Sequence, residues 1–205
     1  MQTSPMDAYL RASDAIDFAN PAIAELAKRL REQAGSADAR VIAAQCFNWV
    51  RDHIEHCIDF SREEVPVSAS QTLAVGTGFC FAKSHLLAAL LRANAIPCGF
   101  VYQRLTVDGP APVYCLHGLN AVYLPDLGWY LCDARGNSKP GIHAYFQPPQ
   151  QTLAYPVQYP GECLYEGIYA EPWPALLSAL SDCRSVSHWR AAPIDLLPPD
   201  LTSLR

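Results

Sequence analysis

Val75-Gly76-Thr77-Gly78-Phe79-Cys80-Phe81-Ala82-Lys83, continuing as Ser84-His85-Leu86-Leu87-Ala88-Ala89-Leu90-Leu91-Arg92-Ala93, is the stretch on which the reading of this chain turns. Two glycines break the backbone, a cysteine follows, and an apolar helical pattern starts at once. The spacing predicts a helix over 79–94 with Cys80 in its first turn. Backbone N–H groups there have no intrahelical acceptor and carry partial positive charge. A thiol so placed ionises more easily, and the thiolate is the nucleophile. The glycines allow a sharp turn and leave one approach to the sulfur open. The helix is apolar on most sides, as a buried and rigid helix would be. A reactive cysteine on such a helix suits thiol acyl transfer. Free cysteine is also among the most buried residue types, so a small core residue is the competing reading.

The elements on either side point to an α+β fold. Asn20-Pro21 is a helix start, with Asn20 as cap and Pro21 in the first turn, and that helix stops near Gly35. Ser36 or Asp38 caps a second helix, which runs to about Cys57. Ile58 to Phe60 reads as a short extended piece, and 61–78 as a loop with a helical turn over 68–73. After Pro97, Cys98 to Leu105 reads as a strand, Val113 to Leu124 as a second, and Trp129 to Asp133 as a third. Asp108-Gly109-Pro110 and 125–128 are the turns between them. Helices followed by consecutive strands predict an antiparallel sheet with the cysteine helix packed on it.

Length and composition narrow the classes. The chain has 205 residues, suited to one domain. Half of its residues are hydrophobic, 17% are charged, and the net charge is −5. It lacks a Lys/Arg run, which argues against nucleic acid and an anionic membrane as partners. Its N-terminal sequence lacks the basic start and apolar core of a secretory leader, so the cytoplasm is the expected compartment. Eight cysteines occur without a C-x-x-C pair. They read as small core residues rather than a disulfide or zinc framework. Ten of the 17 prolines lie after residue 138. That region is too apolar for a disordered tail, and reads as a C-terminal wrap over the core with one helix near 173–183.

A cysteine nucleophile needs a base and an orienting acceptor. His53, His56 and Cys57 share a face if the second helix reaches Cys57. There they could bind a metal or act as cations at a helix C-terminus. His85 points away from the sulfur's side of its helix. His117 sits in the central strand beside Gly118, which leaves room for another chain. Asp133 ends an apolar strand, where an unpaired carboxylate is costly. The tight turn between these strands makes His117 and Asp133 cross-strand neighbours. A turn role or a pair with Arg135 is the alternative for Asp133. Trp129 reads as a core residue, while Tyr102 and Gln103 could line a cleft.

Cys80, His117 and Asp133, in that order, sit in GTGFCFAKSHLLAALLRANAIP and HGLNAVYLPDLGWYLCDARGN. These motifs resemble the transglutaminase-like superfamily of cysteine enzymes, closest to its bacterial members, over about 40–137. The resemblance implies a papain-like α+β fold, with Cys80 as nucleophile, His117 as general base and acid, and Asp133 as orienter. It implies thioester chemistry on a peptide, protein or small amide substrate, with no cofactor and no metal. Ala95 stands where the family has glycine, and Asn94 is then the expected left-handed residue. Ala121 replaces a frequent acidic residue. The oxyanion would meet the Cys80 N–H and one side-chain donor, for which Gln71 is the candidate; a solvated polar role is its alternative. Two other functions fit the same residues. One is a binding or scaffold module that keeps the fold without turnover. The other is a metal-binding protein using Cys80, His117 and Asp133.

Overall fold

Asn20 and Pro21 open the first long helix in the computed structural model, which describes residues 6–110 and 112–199. The Asn20 side chain accepts from the Ala22 N–H, and helix α1, Pro21–Ala34, ends where Gly35 turns left-handed at φ 60. Its buried stripe is Ile23, Leu26, Ala27 and Leu30. Asp38, not Ser36, caps α2, Ala39–His53.

Helix α2 stops four residues before the expected Cys57. The Glu55 N–H bonds the Gly76 carbonyl at 2.9 Å, in place of the Arg51 carbonyl that a continuing helix would offer. Residues Glu55–His56 form strand β1, and the chain turns through 57–61 instead of extending over Ile58 to Phe60. His53, His56 and Cys57 therefore share no helix face. Ser68 and Gln71 form a reciprocal capping box on α3, Ala69–Val75. Strand β2, Thr77–Gly78, pairs with β1 in parallel.

Helix α4, Cys80–Ala93, follows directly, and every residue from Cys80 to Arg92 is buried. It packs against α1, α2 and α3 on one side and the main sheet on the other. This burial explains its all-round apolar pattern. The left-handed turn after it falls on Ala95 itself, at φ 58, whereas Asn94 has φ −94. Asn94 is held back because its side chain donates to the carbonyls of Ala27 and Leu90, at 3.1 and 3.0 Å.

The sheet strands are β3, Cys98–Thr106, β4, Tyr114–Leu124, and β5, Gly128–Cys132. Beyond them lie β6, Tyr145–Gln147, β7, Gln150–Thr152, and β8, Cys163–Leu164. Helices α5, Pro174–Asp182, and α6, Val186–Ala191, follow. The main sheet has the order β5-β4-β3-β8 and is antiparallel throughout. On its outer face Val101, Leu119 and Ala121 form a small separate apolar cluster.

The segment after 134 is bound to this core by specific contacts. Phe100 bridges Tyr169, and Trp173 packs its ring on Tyr102 with centroids 4.3 Å apart. The Leu116 N–H donates to the Ile194 carbonyl at 2.7 Å. Strands of two or three residues carry no readable period, which is why β6 to β8 escaped the sequence reading.

Candidate active site

Cys80 is the first residue of α4, so its N–H has no intrahelical acceptor and its sulfur lies at the positive end of the helix. Phe79, extended at φ −67 and ψ 169, precedes it without a side-chain cap. The Gly118 N–H points at the Cys80 sulfur from β4 at 3.4 Å. Gly118 is required at that place. A Cβ added there would lie 2.7 Å from Phe81 Cδ1. The absent side chain therefore lets the Phe81 ring of α4 seat against the strand. The Ser84 hydroxyl donates to the Gly118 carbonyl at 3.2 Å, and Asn120 Nδ2 donates to the Ser84 carbonyl at 3.1 Å. These bonds fix helix and strand in register.

His117 and Asp133 come together as the strand order predicted. Strand β4 pairs with β5 up to Asn120 opposite Cys132. Asp133 lies one step past the ladder and reaches diagonally to His117. His117 Nε2 and Asp133 Oδ2 are 2.8 Å apart, and both residues are buried. Asp133 Oδ1 accepts from the Arg135 N–H at 3.0 Å, and Oδ2 also accepts from the Ala154 N–H at 3.2 Å. The Arg135 guanidinium turns elsewhere, to a bidentate pair with Asp59. Burial pulls His117 down, but the charge of Asp133, the Cys80 thiol and hydrogen bonds to both outweigh it and push His117 up to about 10. Burial raises Asp133, and His117 together with the two backbone donors outweighs that and lowers it. The His117 ring is thus favoured in its charged form, between a carboxylate and the Cys80 sulfur.

These groups open on a cavity of about 370 Å³ that both Cys80 and His117 line. Phe79, Leu105, Val107 and Leu116 form part of its lining; Tyr155, Pro156, Tyr159 and Trp189, from beyond residue 134, form another part. Tyr155 stands edge-on to His117, with centroids 5.2 Å apart, and the Gln103 amide holds its carbonyl at 3.1 Å. Trp189 packs on Phe79 at 5.3 Å.

Gln71 does not join this site. Its Oε1 accepts from the N–H groups of Val67 and Ser68, at 3.0 and 3.1 Å, and it lies outside the cavity lining. The capping box takes the side chain that the sequence offered as an oxyanion donor. Tyr102 is buried in the Trp173 cluster, and Gln103 acts behind the wall; neither lines the cavity. Trp129 packs on Tyr9 and Tyr123. His85 is buried and bonds the Val67 carbonyl at 2.6 Å. Among the described residues no group of three His, Cys, Asp or Glu has a metal-holding arrangement, and His117 and Asp133 face each other directly.

The sequence reading put His56 at the end of the second helix; the structure puts it in the site, with Lys83 bracing the chain that carries it. His56 lines the cavity, brought there by the β1–β2 pairing. Lys83 is buried one turn after Cys80. Its Nζ donates to the carbonyls of Ile54 and Arg51, the latter at 3.3 Å. It thereby ties α4 to the chain that enters β1. Burial, with the Arg135 charge adding to it, pulls Lys83 down to about 7. A lysine inside an apolar helix pattern was the available signal for such an anchor.

The family model described as the transglutaminase-like superfamily matches residues 24–134. No curated protein matches this chain. Among solved structures, the chain is similar to a candidate cysteine protease from Cytophaga hutchinsonii, at 21% identity and TM-score 0.47. The likeness covers 63% of this chain and 42% of that one. The periplasmic domain of TgpA from Pseudomonas aeruginosa shares 20% identity at TM-score 0.48, over 65% of this chain and 48% of that one. A candidate protease from Parabacteroides distasonis shares 13% identity at TM-score 0.40, over 62% and 24%. The chain thus spans less than half the length of each of these. Among the described residues no helix is long and apolar enough to cross a membrane.

Proposed function

The chain belongs to the transglutaminase-like superfamily, and we propose that it is a thiol-dependent acyl-transfer enzyme acting through Cys80, His117 and Asp133. The observation that carries this reading is one cavity onto which open a thiol at the start of α4 and a histidine bonded to a buried aspartate. In the reaction the Cys80 thiolate attacks the carbonyl carbon of an amide, peptide-like in kind. His117 gives its proton to the leaving amine as the C–N bond breaks, and a thioester on Cys80 remains. Water or a second amine then attacks the thioester carbonyl, His117 takes its proton, and the S–C bond breaks to return the Cys80 thiolate and release the acyl product. Asp133 keeps the ring oriented and stabilises its charged form.

The test uses p-nitrophenyl acetate as acyl donor, with release of nitrophenol and the mass of the Cys80 peptide as readouts. Wild-type protein is expected to turn the ester over and to carry an acetyl group on Cys80. Cys80→Ala is expected to lose turnover by about 10⁴-fold or more. Unchanged turnover in Cys80→Ala, or a wild-type protein never acetylated on Cys80, would overturn the reading.

A further inference from the structure

Strand β1 is two residues long, yet it carries a buried histidine into the catalytic cavity. His56 lies opposite Gly78 in the parallel pairing with β2, two residues before Cys80, and the Cys57 N–H bonds the Gly78 carbonyl at 3.1 Å. The ring is therefore fixed to the segment that opens α4. His56 is 6% exposed, and it lines the cavity shared by Cys80 and His117.

Among the described residues, Nδ1 of this ring is buried and has no hydrogen-bond partner. The closest carboxylate is Asp59, at 3.9 Å, beyond hydrogen-bond reach and committed to Arg135 and Ser138. Buried polar groups in native structures are nearly always satisfied, and an exception at a cavity calls for an explanation. Burial, and then the charge of Arg135, hold the ring well below the usual histidine range, so it is a neutral imidazole at neutral pH. A neutral imidazole offers one N–H donor. Lys83 anchors the approach to β1 from the helix that carries the sulfur.

Building on the acyl-transfer reading, we propose that His56 supplies the side-chain donor of the oxyanion hole, beside the Cys80 backbone N–H. When the sulfur electron pair forms the S–C bond, the carbonyl π pair moves onto oxygen. The His56 ring N–H and the Cys80 N–H hydrogen-bond that oxygen and transfer no proton. On collapse the pair returns, the bond to the leaving group breaks, and His117 protonates the departing amine. His56 fills the place for which Gln71 is not available.

The experiment compares two reactions of the same thiol. Acetylation of Cys80 by p-nitrophenyl acetate builds an oxyanion, whereas alkylation by iodoacetamide at a CH2 carbon does not. In His56→Ala the acetylation rate is expected to fall about 10²-fold while alkylation stays at the wild-type rate. His56→Phe, which fills the space without an N–H, is expected to fall as far. His56→Gln, with an amide N–H, is expected to lie between. If both reactions fall together, His56 only maintains the structure around the thiol and the inference is overturned; it is overturned as well if acetylation is unaffected in His56→Ala and His56→Phe. Ester turnover that persists unchanged in Cys80→Ala would instead sink the acyl-transfer reading on which this one rests.

Discussion

Residues 24–134 and residues 135–199 both line one cavity, and they are held there by different physical means. The first region is held by apolar periodicity. Helix α4 is buried along its length, and β3 and β4 pair over nine residues, from Cys98↔Val122 to Thr106↔Tyr114. The second is held by individual contacts: the Ala154 N–H on Asp133, the Gln103 amide on the Tyr155 carbonyl, the Arg104 guanidinium on Asp195 at 2.6 Å, and Trp189 on Phe79. Every residue proposed to carry chemistry lies in the first region. The second adds shape. The difference separates reactivity from selectivity along the chain, and substitutions can test whether the separation holds.

The largest effect is expected inside the first region. The Asp133 charge is a main support of the His117 imidazolium against burial. Asp133→Asn should lower kcat about 10³-fold or more. It should also lower the pH at which His117 loses its proton, so the alkaline limb of kcat/KM moves toward neutrality. A pH–rate profile of both proteins checks this. An unmoved limb would mean that Asp133 does not govern His117, and the division between regions would lose its anchor.

A smaller effect is expected across the boundary. Trp189 is 8% exposed, packs on Phe79 and lines the cavity. Trp189→Ala should destabilise the fold by about 3 kcal/mol, measured by denaturant unfolding. It should raise KM for an acyl donor and leave the iodoacetamide rate at Cys80 unchanged. A fall in that rate would show that the second region also tunes the thiol, which would break the comparison.

How legible each region was follows from the same contrast. The order Cys80, His117, Asp133 could be read because each residue interrupts a strong pattern, and the pattern fixes its element. His56 was misplaced because β1 forms by bonding the Gly76 and Gly78 carbonyls, 21 residues on. No local propensity records that partner, so the chain read as a continuing helix. Gln71 was misassigned for the opposite reason: its partners, Val67 and Ser68, are local, and the capping box took precedence over the site. The Tyr155 and Trp189 wall could not be placed, since strands of two or three residues and a proline-rich path leave no period to follow.

The smallest effect lies at the end of α4, where the first region departs from its own pattern. Ala95 holds φ 58 without being glycine. Ala95→Gly should relieve that strain and stabilise the protein by about 1 kcal/mol, a rise in Tm of roughly 2–4 °C by calorimetry. No change would mean that the lost rigidity of the unfolded alanine chain offsets the relief.

Gly118 gives the site its tolerance. At Gly118, beside His117, there is no room for a side chain that could rotate to absorb an error, because the Phe81 ring already fills the space a methyl group would need. The spacing of nucleophile and base is thus gauged by the β4 main chain seated against the Phe81 ring of α4, as two machined faces set a gap without a shim. Any widening at Gly118 would move α4 as a rigid body and carry the sulfur with it, so this position controls alignment without touching a substrate.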